Sequence, residues 1–221
     1  MSFKTVVNKC ENYSSCIKDN ELPAVDNFNS IYHEDKYKEY IFDPKVIIVG
    51  TFTPYDGRQN GFFYSSNNNH QMKFIDEDLG KLKQGLVADH KNEQIIKKIL
   101  DKLKNLKIMF LDTVYCNYDA NQRSAKDDLI VFDTLDDVPF EPYIKNDIRF
   151  ICNSHNAVSA FLKICEKFNS YPKEIIYVPQ INYRTKDKEK KRQWKYAIDL
   201  KNQKFGGYMI KGHEIKRVPK E

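Results

Sequence analysis

No stretch of this chain stays apolar for anything near the ~20 residues that span a bilayer, and the opening Met1-Ser2-Phe3-Lys4-Thr5 lacks the apolar heart of a secretion signal. A cytoplasmic protein with no membrane contact is therefore expected. Cysteine is sparse: Cys10, Cys16, Cys116, Cys152 and Cys165 are odd in number and scattered, with no Cys-x-x-Cys pair and no Cys/His cluster at zinc spacing. Cys10 and Cys16 have nothing nearby to complete a ligand set, so free thiols are expected, with Cys152 and Cys165 buried. Other chemistries lack their parts. There is no GxxxxGK(S/T) or GxGxxG to cradle phosphates, no GxSxG nucleophile elbow and no HExxH. Asp76-Glu77-Asp78 and Asp127-Asp128 could hold a divalent ion, but neither directly follows a strand and acidic residues commonly open helices. No metal and no cofactor are expected. Internal repeats and long linkers are absent as well.

What is present is enough for one core. The chain has 221 residues, 41% apolar and 13% aromatic, which suits a single domain over 43–221 preceded by a polar, tyrosine-rich arm, 1–42. Within the arm, Ile31, Tyr37 and Tyr40 are candidates to pack on the core. The net charge of +5 is compatible with a polyanion without diagnosing one. A monomer is expected.

Apolar runs then alternate with helical patterns, the signature of βαβ units and a mainly parallel sheet. Strands are predicted over 45–49, 108–111, 148–152 and 175–178. Helices are predicted from about 68 through Met72, Phe74 and Ile75, over 91–103, over 157–168 capped by Asn153 or Ser154, and over 186–200. The segment 205–218 reads as a terminal hairpin. The fold class expected is an α/β/α sandwich around a four-stranded sheet.

Every predicted strand stops in a polar loop, so four loops share one rim, where open α/β sheets bind ligands. The first loop is the most informative. After Val46-Ile47-Ile48-Val49-Gly50 come Thr51-Phe52-Thr53-Pro54, then Phe62-Phe63-Tyr64 and Asn67-Asn68-Asn69-His70. Aromatic rings can stack on a planar heterocycle, and amides can read both edges of a base or orient a water. The competing readings are plain: rings that plug the loop into the core, and asparagines that cap a helix. Asp112 is a candidate base or a turn cap, and Asn153, Ser154, His155 and Asn156 are candidate substrate contacts or a helix start. Arg123 and Ser124 suit a phosphate contact. The run Arg184 to Lys195, with Lys190, Lys191 and Arg192 at its centre, is either a solvated helix face or a phosphate-backbone contact. Trp194 falls on the core side of that helix.

Taken in order, these segments resemble the uracil-DNA glycosylase superfamily, in particular its branch of hypoxanthine (deoxyinosine) DNA glycosylases. Gly50-Thr51-Phe52-Thr53-Pro54 stands for the branch's Gly-Ser-Phe-Pro, and 63–72 for its Tyr-Tyr-Ala-His-Pro-Arg-Asn-His-Phe-Trp. Leu111-Asp112-Thr113-Val114 resembles Leu-Trp-Asp-Val. Arg123-Ser124 with Asp127-Asp128-Leu129-Ile130 resembles its continuation, and Ile151 to Ala157 the Phe-Asn-Gly-x-x-Ala turn. Pro179-Gln180-Ile181-Asn182-Tyr183 takes the place of the Ser-Pro loop that pinches DNA.

The resemblance, spanning about 45–200, implies a glycosylase-like fold and a metal-independent glycosylase that removes hypoxanthine or uracil from DNA. Asn69 then falls on the catalytic asparagine, and the backbone N–H groups of Thr51 and Phe52 would stabilise the departing base. Gly50, Pro54, Phe63, Tyr64, Asp112, Asn153, Ser154 and His155 would line the base site. Arg123, Ser124, Gln180, Asn182, Arg184, Lys190, Lys191 and Arg192 would meet DNA. The alternative left open is a nucleic-acid or nucleotide binding module on the same fold without catalysis. A hydrolase or transferase of small nucleosides is a third.

Overall fold

Short β-branched runs spaced by amphipathic stretches come together in a single sheet in the computed structural model of the chain. The structure describes residues 25–26, 35–51, 53–54, 62–64, 70–89, 92–113, 140–144, 147–172, 175–178, 187–199, 208–211 and 214–217. Its strands are β1 (Val25–Asp26), β2 (Val46–Gly50), β3 (Thr53–Pro54), β4 (Ile108–Asp112), β5 (Arg149–Cys152), β6 (Ile175–Tyr177), β7 (Tyr208–Lys211) and β8 (Glu214–Arg217). The main sheet runs β4-β2-β5-β6-β7-β8, with the first four strands parallel and the last two antiparallel. β1 and β3 form a separate antiparallel pair.

The four parallel strands are those expected from their apolar runs. The sheet itself is six-stranded, because the terminal hairpin adds to the free edge of β6 through Ile175 opposite Ile210. An open edge offers unpaired N–H and C=O groups to any strand that reaches it, and alternation within the hairpin says nothing about where it docks.

Every residue of β2, β4, β5 and β6 is buried, so both faces of the parallel sheet are covered. The helices are α1 (Gln71–Ile75), α2 (Glu77–Ala88), α3 (Glu93–Leu106), α4 (Glu141–Ile144), α5 (His155–Lys167) and α6 (Asp187–Ile198), of which α3 packs on β4 and α5 on β2 and β5. The step from β2 to β4 moves one way across the sheet and that from β5 to β6 the other. Right-handed crossovers then put their helices on opposite faces, compatible with three layers. A 3-10 turn over Asp35–Tyr40 places Tyr37 and Tyr40 in the same core, as their apolar rings suggest. Ile31 lies outside the described residues.

Local chemistry sets the helix ends. Asp76 is extended (φ −155°, ψ 137°) and accepts from the N–H groups of Asp78 (2.9 Å) and Leu79 (3.1 Å), ending α1 and starting α2. The acidic run 76–78 is thus a helix start, and lysines neutralise it: Lys102 reaches Asp76 at 3.4 Å and Asp78 at 3.3 Å, and Lys81 reaches Asp78 at 3.1 Å. Among the described residues no group of three or more His, Cys, Asp or Glu is placed to hold a metal. Asn92 caps α3 through Ile95 N–H (3.1 Å), and Lys107 closes it in the left-handed conformation (φ 57°). Among the described residues no helix is long and apolar enough to cross a membrane.

Cys152 on β5 and Cys165 on α5 are free and buried. Burial holds the Cys152 thiol well above its ordinary range and pushes Cys165 up to about 12. Both are therefore expected to resist alkylation at pH 8 in the folded protein and to react once guanidinium unfolds it, read by peptide mass mapping. Folding favours the protonated thiols, so their contribution to stability is whole below the unfolded thiol pKa, near 9, and is lost as pH rises from there toward 12.

Candidate active site

The apolar strands β2, β4 and β5 end level with one another: Gly50 pairs with Asp112, and Val49 with Cys152. Chain connections leave β2 and β5 in opposite directions, so the crevice between their carboxyl ends is the topological switch point of the sheet. Polar residues from three strand ends and one loop converge there.

Thr51 Oγ1 and Ser154 Oγ meet across the crevice at 3.1 Å, buried. Ser154 Oγ also accepts from Ala157 N–H (3.0 Å), so one hydroxyl both caps α5 and bridges the switch point. Loss of such a cap costs about 1 kcal/mol. On the other side of β2, Thr113 donates its backbone N–H (3.0 Å) and its hydroxyl (3.0 Å) to Gly50 O. These bonds lock the ends of β2 and β4 together and aim Asp112, only 2% exposed, over the strand ends.

Tyr64 enters from the loop. Its backbone is left-handed (φ 53°), an uncommon conformation for a bulky residue. The ring packs edge-on against Phe110 (centroids 5.2 Å apart), and the hydroxyl accepts from Asn153 Nδ2 at 2.9 Å. Asn153 is 3% exposed. Gly50 makes this approach possible, because a Cβ there would collide with both Asp112 Oδ1 and the Tyr64 hydroxyl. Burial raises the Tyr64 hydroxyl well above its ordinary range and the Asp112 charge adds to this, while the bond from Asn153 opposes it. Tyr64 is accordingly a neutral phenol at physiological pH.

The structure brings together Gly50, Thr51, Tyr64, Asp112, Asn153 and Ser154, all of them expected at the site. Phe63, expected as a stacking ring, is 1% exposed and packed on Phe62 and Phe110, so it serves the core. Pro54 is placed by the β1–β3 pairing, and His155 is the first residue of α5. Asn69, Phe52, Arg123, Ser124, Gln180, Asn182 and Arg184 lie outside the described residues. On α6, Lys190 is in the helix, Arg192 is exposed, and Lys191 ion-pairs with Glu77 (2.5 Å). The Trp194 ring is buried, as its spacing implies.

Comparison with family models, with curated proteins and with solved structures gave no match.

Sequence reasoning passed over Thr113, whose only local signal is its position directly after a strand-terminal Asp. It also passed over Lys83 on α2, which is buried and whose ammonium pKa burial lowers.

Proposed function

We propose that this chain is a DNA glycosylase of uracil-DNA-glycosylase-like fold that hydrolyses the N-glycosidic bond of a deaminated base, hypoxanthine or uracil, without metal or cofactor. The observation that carries this reading is the polar constellation over the switch point, in which Thr51, Asp112, Asn153 and Ser154 are buried and the half-buried Tyr64 bonds Asn153. Buried polar groups cost free energy unless they are paired, so a cluster this dense at a ligand-binding edge favours a recognition site over packing. The parallel four-stranded core supports the fold assignment, and the ordered series of motifs supports the family.

The nucleotide flips out of the duplex into the crevice. The amide of Asn153, at the end of β5, meets an edge of the base. Asn69 orients the attacking water at the sugar C1′, and the N–H groups of Thr51 and Phe52 receive negative charge from the leaving base. The basic α6 supplies phosphate contacts.

Oligonucleotides bearing one uracil, hypoxanthine or xanthine, followed by alkali, test this directly. Strand scission is expected with the unmodified protein and a loss of about 10²-fold or more in Asn69→Ala. An Asn69→Ala protein with the original rate removes the catalytic assignment. Replacing Lys190, Lys191 and Arg192 together by Ala should also flatten the salt dependence of binding, by up to about 0.9 in log–log slope for each phosphate no longer neutralised. Tight DNA binding by folded protein with no abasic product would leave the binding-module reading in place of the enzyme.

A further inference from the structure

We propose that Tyr64 is a positioning residue: its hydroxyl, turned by Asp112, latches the Asn153 amide so that the amide's carbonyl oxygen faces the ligand. This inference rests on the proposed function for the identity of the ligand, but the latch itself stands on the geometry and charge around Tyr64.

An asparagine amide is nearly symmetric in shape and opposite in chemistry at its two ends. Turned one way it presents an acceptor to a given ligand atom, and turned the other way a donor. An unrestrained amide would therefore accept bases of either hydrogen-bonding pattern. Discrimination requires something that holds it in one orientation.

Three features supply that hold. The Tyr64 hydroxyl and Asp112 Oδ1 both occupy the space a Cβ on residue 50 would take, and glycine is the one residue type that leaves it to them. The field of the carboxylate attracts the positive end of the O–H dipole, so the hydroxyl proton turns toward Asp112 and a lone pair turns toward Asn153. The group that can meet a lone pair is an N–H, and Asn153 Nδ2 sits 2.9 Å away. With one Nδ2 hydrogen held by Tyr64 the amide cannot turn over, and Oδ1 stays at the end away from the hydroxyl, where the ligand meets it. The left-handed backbone of Tyr64 and the edge-on contact with Phe110 keep the hydroxyl in place.

The consequence is a polarity filter. In a single ring pose, a base whose ring nitrogen carries a proton, such as hypoxanthine or uracil, satisfies Oδ1. Adenine or cytosine presents a bare nitrogen at the same point and leaves two acceptors facing each other. A buried site built for one hydrogen bond rejects a partner lacking it far more strongly than an apolar pocket does.

The test uses the full chain labelled with nitrogen-15. The side-chain amide signal of Asn153 is identified by its loss in Asn153→Ala. One Asn153 Nδ2 proton should exchange slowly in the original protein and at least about tenfold faster in Tyr64→Phe, which keeps the ring and removes the hydroxyl. Titration with hypoxanthine and with adenine should show a preference for hypoxanthine that shrinks at least about tenfold in Tyr64→Phe. Asp112→Asn, which removes the charge that turns the hydroxyl, should shrink it likewise and serves if Tyr64→Phe fails to fold.

Unchanged amide exchange in Tyr64→Phe overturns the latch. So does equal weakening of both bases with their ratio preserved, which would make Tyr64 a packing residue. If the original protein binds neither base, the functional reading fails, while the exchange measurement still decides the latch.

Discussion

A Gly50→Ala protein is expected to keep its fold and lose its site. The added methyl would occupy space already held by Asp112 Oδ1 and the Tyr64 hydroxyl. Both obstructing atoms are side-chain ends, so the backbone of β2 can stay while the side chains are displaced. Overpacking of this kind costs about 1–3 kcal/mol, which for a chain of this size lowers Tm by roughly 2–4 °C per kcal/mol. Function should suffer far more. Moving Tyr64 breaks its bond with Asn153, and moving Asp112 takes its charge from the strand ends. A misplacement of about 1 Å in a preorganised site can cost about 10²-fold in rate. A thermal melt beside an excision assay separates the two effects. A protein that melts slightly lower and has lost at least about 10²-fold in activity fits the geometry. Retained activity would show that the Gly50 crevice is not where the substrate sits.

Arg149→Met should have the largest effect on stability. Arg149 opens β5 at the rim opposite the site and is only 7% exposed. Its Nη1 donates to Ala197 O (3.1 Å) in the last turn of α6 and to Asp199 O (2.9 Å) just beyond it. The negative end of a helix dipole and two carbonyls without helical partners thus meet one buried cation. Methionine preserves most of the volume and the apolar stem but leaves the carbonyls without that donor. Hydrogen bonds to charged groups contribute about 1.5–3 kcal/mol each, so a loss of about 3 kcal/mol or more is expected, read as a lower urea midpoint at unchanged slope. Arg149→Lys should recover only part of this, because an ammonium is a point charge without the planar fork. Since α6 carries the basic run, the same substitution should also weaken salt-sensitive binding to DNA. A stability within about 0.5 kcal/mol of the original, the size of a neutral surface change, would mean that water replaces the guanidinium there.

The residues behind these predictions differ in how legible they were. Gly50, Asp112, Asn153 and Ser154 could be picked out because each follows an apolar run, and the end of a buried strand is a local property of the chain. Ser154 as a cap was readable for the same reason, as a short polar residue ahead of the amphipathic stripe of α5. Arg149 carried no signal. It is one arginine at the start of a strand, and its partners are backbone carbonyls about 50 residues later. Tyr64 was singled out for its ring, and the bond between its hydroxyl and Asn153 was not foreseen. That bond needs a left-handed backbone, a glycine on β2 and an amide after β5, none of them adjacent in sequence. Phe63 shows the converse, since neighbouring aromatics cannot be sorted into core and site without knowing which way the turn faces.

The parallel βαβ elements, their polar carboxyl ends and the burial of Trp194, Cys152 and Cys165 follow from local pattern. Period, capping and the length of apolar runs act over a few residues and leave few alternatives. The docking of the hairpin as fifth and sixth strands, the pairing of Lys191 with Glu77 and the meeting of Tyr64 with Asn153 over Gly50 are visible in no local pattern. Those contacts link residues that the chain order keeps apart. Their free energy exists only once hydrophobic burial has fixed the strand ends within hydrogen-bonding reach of one another.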